Sequence, residues 1–197
     1  SYCGYQAPML DRDLDPAVRT IFELVPESVG IFTPVARGLD PSRDPSCLER
    51  KIWGSVAHVA KWHQPSDDSV SRHLLRAADQ DWRFVFAQFP AVDGYTHQSG
   101  HDSAPVHRAL RKVDRTVGRL RDLLRRRGEL EQSLILLVSD HGASPVHTHL
   151  DLADWFRGRG IPTLAHPVVW TRKPRAAVMV AGNGSAMVYA RPGEPRL

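Results

Sequence analysis

Two short segments hold residues whose types and spacing suit metal-assisted chemistry. Asp93-Gly94-Tyr95-Thr96-His97 sets a carboxylate four positions before an imidazole, and Ser139-Asp140-His141-Gly142 sets the same two groups side by side. Carboxylate oxygen and neutral imidazole nitrogen both suit Zn²⁺ and its first-row relatives. Two such clusters brought together would hold two ions about 4 Å apart, with a substrate oxygen bridging them. Gly94 and Gly142 permit tight backbone paths where a side chain would obstruct metal or substrate. Either pair alone has a plainer explanation, since Asp caps and terminates strands and His tolerates a half-buried polar rim. Their joint occurrence at the ends of two expected strands favours the metal reading.

The elements that must position these residues follow from periodicity. Within Trp82 to Phe89, the residues Phe84, Val85, Phe86 and Phe89 form a short aromatic and β-branched run stopped by Pro90, which predicts a buried strand. From Ser103 to Arg127, Val106, Leu110, Val113, Val117, Leu120 and Leu124 recur every three or four positions. This predicts an amphipathic helix with Ser103 as N-cap and Gly128 as stop. Leu134-Ile135-Leu136-Leu137-Val138 is too short for a helix and predicts a second strand, covered on both faces. Strand, helix and strand make a βαβ unit whose strands run parallel, so their carboxyl ends share one edge and the two Asp/His pairs emerge there. A helix over Leu150 to Arg159 and apolar segments at Ala176 to Ala181 and Ala186 to Ala190 continue the alternation. The expected fold class is α/β, a mostly parallel sheet with helices on both faces and ligands bound beyond the strand ends.

Upstream of Trp82 the pattern is weaker. Residues 1–80 are rich in Pro, Asp and Arg, with apolar stretches at Val18 to Leu24 and Val29 to Phe32, a turn-like loop from Leu39 to Ser46 and a helix expected over Ser69 to Ala78. No internal repeat is visible. The organisation expected is a single partial α/β hydrolase domain over 1–197, with 1–80 a helical and loop region and 82–190 the metal-site core. With 197 residues and 42% apolar composition the chain can bury a real core. No run reaches the roughly 18 consecutive apolar residues of a membrane-spanning helix, and no secretory leader pattern opens the chain. Cys3 and Cys47 are the only two cysteines, far apart and without C-x-x-C spacing, and read as ordinary thiols. The net charge is +4. Its densest run, Arg125-Arg126-Arg127, falls where a helix end favours cations, so a nucleic-acid surface is disfavoured.

These residues resemble the type I phosphodiesterase and nucleotide pyrophosphatase branch of the alkaline phosphatase superfamily. In that family a D-x-x-x-H element and an S-D-H-G element, each after a core strand, serve two different metal ions. The resemblance implies that Asp93 and His97 serve one ion while Asp140 and His141 serve the other, with zinc the first choice and manganese or iron the alternatives. It runs from about Trp82 to Ala190, because Val180 to Tyr189 is similar to a strand-turn-strand segment found downstream of S-D-H-G. It implies hydrolysis of a small-molecule phosphoester, a phosphodiester or nucleotide pyrophosphate, through attack by a Thr or Ser nucleophile.

Departures from the family pattern shape the expectation. No segment here matches the nucleophile element with its preceding metal-binding Asp, so both are expected upstream of Ser1. A last ligand His is expected beyond Leu197, making the chain a fragment incomplete at both ends. Thr33-Pro34 lacks the preceding Asp and receives no catalytic role, and Gly100 is followed by His101 where the family often has Gly-Pro. His101, His107, His147, His149 and His166, with Asp102, are weaker site candidates, while Trp53, Trp62 and Trp155 read as packing anchors. A phosphomutase or sulfatase-like enzyme, separable by its nucleophile, is the rival within the superfamily. A noncatalytic module that kept the ligands as structural contacts is the rival from another class. Compartment and oligomeric state are left open.

Overall fold

The computed structural model describes residues 10–165, 173–181 and 184–193. The chain divides into two compact units, Tyr2–Pro145 and Val146–Leu197.

In the first unit the core strand is β1 (Ser28–Ile31), whose four residues are all buried. It pairs in parallel with β2 (Phe84–Ala87), with Ser28 opposite Phe84 and Ile31 opposite Ala87. Parallel neighbours need a crossover of a dozen or more residues. Here it contains α3 (Cys47–Ala60) and α4 (Gln64–Ala77), while α1 (Leu10–Asp13) and α2 (Ile21–Leu24) precede β1. Pro41–Arg43 forms a 3₁₀ turn within the expected loop. Val29, Ile31 and Phe32 pack with Val70, Leu74 and Ala77 of α4, and Trp53, Trp82, Val85, Phe89 and Leu120 close over them.

The helix expected from Ser69 begins five residues earlier, at Gln64, and its N-terminal half is polar yet buried. Ser66, Asp67, Ser69 and Ser71 are all sequestered. Their hydroxyls are spent locally: Ser71 Oγ donates to the Asp67 carbonyl at 2.8 Å and lies 2.9 Å from Thr116 Oγ1. Small side chains let α4 approach α6 (Ala104–Arg127) closely. Burial alone would raise the Glu49 carboxyl, but hydrogen bonds from Ser69, His73 and Arg72 outweigh it and hold Glu49 down to about 2, clamping α3 to α4.

The long helix α6 matches its expected bounds and ends at Gly128, whose φ of 74° provides the left-handed cap. Its buried stripe is Val106, Ala109, Val113 and Thr116. Leu110, expected inside, is 48% exposed. The stripe is turned toward smaller residues because α4 presents Ser71 to Thr116 there. Ser103 occupies the N-cap position without a side-chain capping bond; its hydroxyl lies 3.0 Å from that of Ser99. Within the basic run at the helix end, Arg125 bonds Asp122, and Arg127 bonds Asp81 at 2.6 Å and Glu129 at 2.9 Å.

The second expected core strand does not form. Residues Leu134 to Val138 belong to no strand; Leu134, Leu136, Leu137 and Val138 are 70–85% exposed. An apolar run fits a sheet interior only where neighbouring strands offer a hydrogen-bond ladder. Among the described residues none pairs with this run, and the parallel pair of the Tyr2–Pro145 unit is β1 with β2. The βαβ unit expected around α6 is therefore replaced by a crossover through α3 and α4, and a larger parallel core is not seen.

The second unit holds α7 (Leu152–Arg157), β3 (Thr163–Ala165), β4 (Ala176–Ala181) and β5 (Ser185–Ala190). Asp151 caps α7, its side chain accepting from Asp154 N–H at 2.9 Å. β3 and β4 are parallel; the apolar segments form strands as expected, but β4 and β5 pair antiparallel, with Ala176 opposite Ala190, rather than extending a parallel sheet. Residues 182 and 183 between them lie outside the described residues. The molecule is thus α/β with small sheets. No helix among the described residues is long and apolar enough to cross a membrane. Cys47 is a free thiol, and Cys3 lies outside the described residues.

Candidate metal centre

β2 ends at Ala87, and Pro90, which has no N–H to donate to a ladder, follows three positions later. The chain turns at once into α5 (Ala91–Ser99), which Gly100 terminates at a φ of 86°. The D-x-x-x-H element is therefore helical. A four-residue spacing on a helix stacks two side chains on one face, and His97 Nε2 lies 3.3 Å from Asp93 Oδ1, both side chains more than half exposed.

Asp140 and His141 follow the exposed apolar run in irregular chain. His141 Nε2 is 3.5 Å from Asp140 Oδ2, and the Asp140 carboxylate accepts the His141 backbone N–H at 3.0 Å. His141 Nδ1 lies 3.0 Å from the Gly142 carbonyl oxygen. A carbonyl only accepts, so Nδ1 carries the proton and the neutral ring keeps its lone pair on Nε2. A backbone carbonyl that accepts from one ring nitrogen in this way fixes the orientation in which the other can meet a metal. The Gly142 carbonyl, then Asp140, and in smaller measure Asp93 raise the His141 pKa, against slight burial.

The donor chemistry fits a divalent ion: exposed carboxylates, imidazoles and one ring with its tautomer set. The count is smaller than a complete site requires. Among the described residues no group of three or more His, Cys, Asp or Glu side chains is arranged to hold an ion. The structure therefore presents two donor pairs, not an assembled four-ligand cluster.

Two further residues here were missed by periodicity. His63, at the N-cap position of α4, lies against Gly94 and meets the Tyr95 ring edge-on at 5.0 Å. A Cβ at Gly94 would fall less than 3.0 Å from three atoms of the His63 ring. Burial lowers the His63 pKa, Lys61 lowers it further, and Asp93 opposes both. Gln64 N–H donates to the Tyr95 hydroxyl at 3.2 Å, joining the start of α4 to α5. The second residue, Asp67, is fully buried and accepts the Ala91 N–H at 3.0 Å. Burial pushes its carboxyl up to about 7, Ala91 opposes, Asp68 adds to the rise and Lys112 opposes. The one sequence signal for His63 was Gly94, since a glycine inside a helix suggests close approach of another group.

The weaker candidates separate from these pairs. His107 Nε2 bonds Asp102 at 2.8 Å, and His101 is exposed. His147 and His149 are exposed residues of the second unit, and His166 lies outside the described residues. Thr33 is buried and its hydroxyl donates to the Val35 carbonyl at 2.6 Å. Trp53 packs on the core; Trp62 is 54% exposed and is no anchor. Trp155 is 42% exposed, with the Arg159 guanidinium 3.5 Å above its ring.

The chain belongs to the type I phosphodiesterase / nucleotide pyrophosphatase family, whose sequence model matches residues 14–195. This places it in the alkaline phosphatase superfamily, among phosphoester hydrolases that are typically metal-dependent. No curated protein and no solved structure matches the chain.

Proposed function

We propose that the chain carries the metal-ligand core, over residues 82–190, of an α/β hydrolase that cleaves phosphodiesters or nucleotide pyrophosphates with two divalent ions. Asp93 and His97 serve one ion, Asp140 and His141 the other. Zinc fits the mixed carboxylate and imidazole donors best, with manganese and iron as alternatives. The observation that carries this reading is the occurrence of two Asp/His pairs, Asp93 with His97 at 3.3 Å and Asp140 with His141 at 3.5 Å, in a chain of this family.

Bound ions would neutralise the charge that grows on the transferring phosphoryl group. The residues of the chain bind and orient. Helix α5 holds the Asp93 and His97 donors one turn apart, and the Gly142 carbonyl accepts from His141 Nδ1, which in the neutral ring leaves the lone pair on Nε2, beside Asp140. The nucleophile is assigned, on the family's pattern, to a Thr or Ser upstream of Ser1. Thr33 is unsuited because its hydroxyl is buried and committed to Val35.

Elemental analysis of the intact gene product, paired with hydrolysis of a chromogenic bis-aryl phosphodiester before and after chelation, tests the reading. About two ions per chain and chelator-sensitive turnover are expected. His97→Ala and Asp140→Asn should each lower metal content and turnover by at least about tenfold while circular dichroism is unchanged. Full activity in both variants would refute the site. A second reading, a noncatalytic module of the same fold, is favoured by the shortage of assembled donors; a metal-free, inert gene product would select it.

A further inference from the structure

Helix α5 starts badly for a helix that must hold ligands. Its N-cap is Pro90, which offers no side-chain acceptor, and no side-chain capping bond comes from that position. Its first intrahelical bond runs from Gly94 N–H to the Pro90 carbonyl, so the N–H groups of Ala91, Val92 and Asp93 need partners from elsewhere. With nine residues it gains little from cooperative propagation. The Ala91 N–H finds its acceptor on another helix, in Asp67 Oδ1 of α4 at 3.0 Å, where both residues are wholly buried.

The other oxygen, Asp67 Oδ2, is also buried and has no hydrogen-bond partner. A half-satisfied carboxyl in a core is costly, and each one in a native fold calls for an explanation. Packing alone would be served better by Ala, Ser or Val at this position. The bond to Ala91 explains the carboxyl, because it ties α4 to the first turn of α5, two residues before Asp93. Asp67 thus takes the place of the capping residue that Pro90 cannot be.

We propose that Asp67 is a positioning residue for the metal centre: from α4 its carboxyl fixes the first turn of α5, and so sets where Asp93 and His97 stand. This inference rests on the proposed metal site. Asp67 touches neither an ion nor a substrate and acts only through the backbone of α5.

The test uses the full chain, Zn²⁺ alone as titrant followed calorimetrically, and amide exchange at Ala91 as a readout independent of metal. Asp67→Ala is expected to weaken Zn²⁺ binding about tenfold or more and to speed exchange at Ala91. Asp67→Asn, which keeps an oxygen acceptor in the same place, should restore both. Should Asp67→Ala not fold, Asp67→Val removes the acceptor while filling the space, and the same two readouts apply to it. A folded Asp67→Ala or Asp67→Val protein that binds Zn²⁺ like the parent would overturn the proposal, as would an Asn variant as impaired as the Ala variant. Asp93→Asn is the control for the site. If it leaves Zn²⁺ binding intact, the metal-site reading fails and takes this inference with it, whereas failure of the Asp67 bond alone shows as unchanged Ala91 exchange in Asp67→Ala.

Discussion

At the scale of single residues, the contact between Gly94 and His63 makes the sharpest demand. An Ala in a helix interior is ordinarily better than Gly by about 1 kcal/mol. At position 94 the added Cβ would meet three atoms of the His63 ring, which is held between α5 and the Tyr95 ring. Gly94→Ala should therefore destabilise by about 1–3 kcal/mol, the usual cost of overpacking. Truncating the obstacle in a His63→Ala background should return the normal gain, so a double-mutant cycle by urea unfolding gives a coupling well outside additivity. Additive effects would show that the ring is free to move aside. Composition made Gly94 noticeable as a position where backbone comes close to something. That the something is His63, thirty-one positions upstream, depends on how α4 docks beside α5 and had no local signature.

At the scale of elements, legibility tracked whether a segment's own pattern decides its environment. The α6 bounds were readable because Ser103 stands at its N-cap position, Gly128 ends it, and a three- and four-residue apolar repeat runs between them. The stripe was misjudged by one position, at Leu110 versus Ala109, because close packing against a serine-rich partner rewards small residues over large ones. Helix α4 was only half legible for the same reason: Ser66, Asp67, Ser69 and Ser71 look like a solvated face but are buried. In α3, Leu48, Ile52 and Val59 are exposed while Ala57 is buried and Trp53 packs on the core. The run from Leu134 to Val138 shows the opposite failure. Its composition is that of a buried strand, but a strand is defined by its neighbours, and none of the described residues supplies a ladder. Its amides should exchange rapidly, with little protection, while those of the β1–β2 pair are slow; hydrogen exchange followed by mass spectrometry reads both peptides in one experiment. Protection of 134–138 equal to that of 84–87 would mean that the run is paired in solution.

At the scale of the whole molecule, the four proposed ligands fall inside one unit. Asp93, His97, Asp140 and His141 all lie between Tyr2 and Pro145, and the Val146–Leu197 unit contributes none of them. A ligand that binds only the folded state stabilises the unit that holds its site, by about 2.7 kcal/mol at a free concentration one hundred times its Kd. For a domain of this size that corresponds to a rise in melting temperature of roughly 5–10 °C. Zn²⁺ should therefore raise the melting of the Tyr2–Pro145 unit and slow exchange across α4, α5 and the β1–β2 pair, with little change in α7 and the β3–β5 sheet. Because the chain has two units, a single transition cannot be assumed, so peptide-resolved exchange at increasing temperature is the appropriate measurement. His97→Ala should abolish the zinc-dependent increment without lowering the metal-free melting temperature by more than a degree or two, since His97 is exposed. Protection appearing chiefly in residues 146–165 would instead locate the ion at His147 and His149, and would transfer the metal chemistry to the other unit.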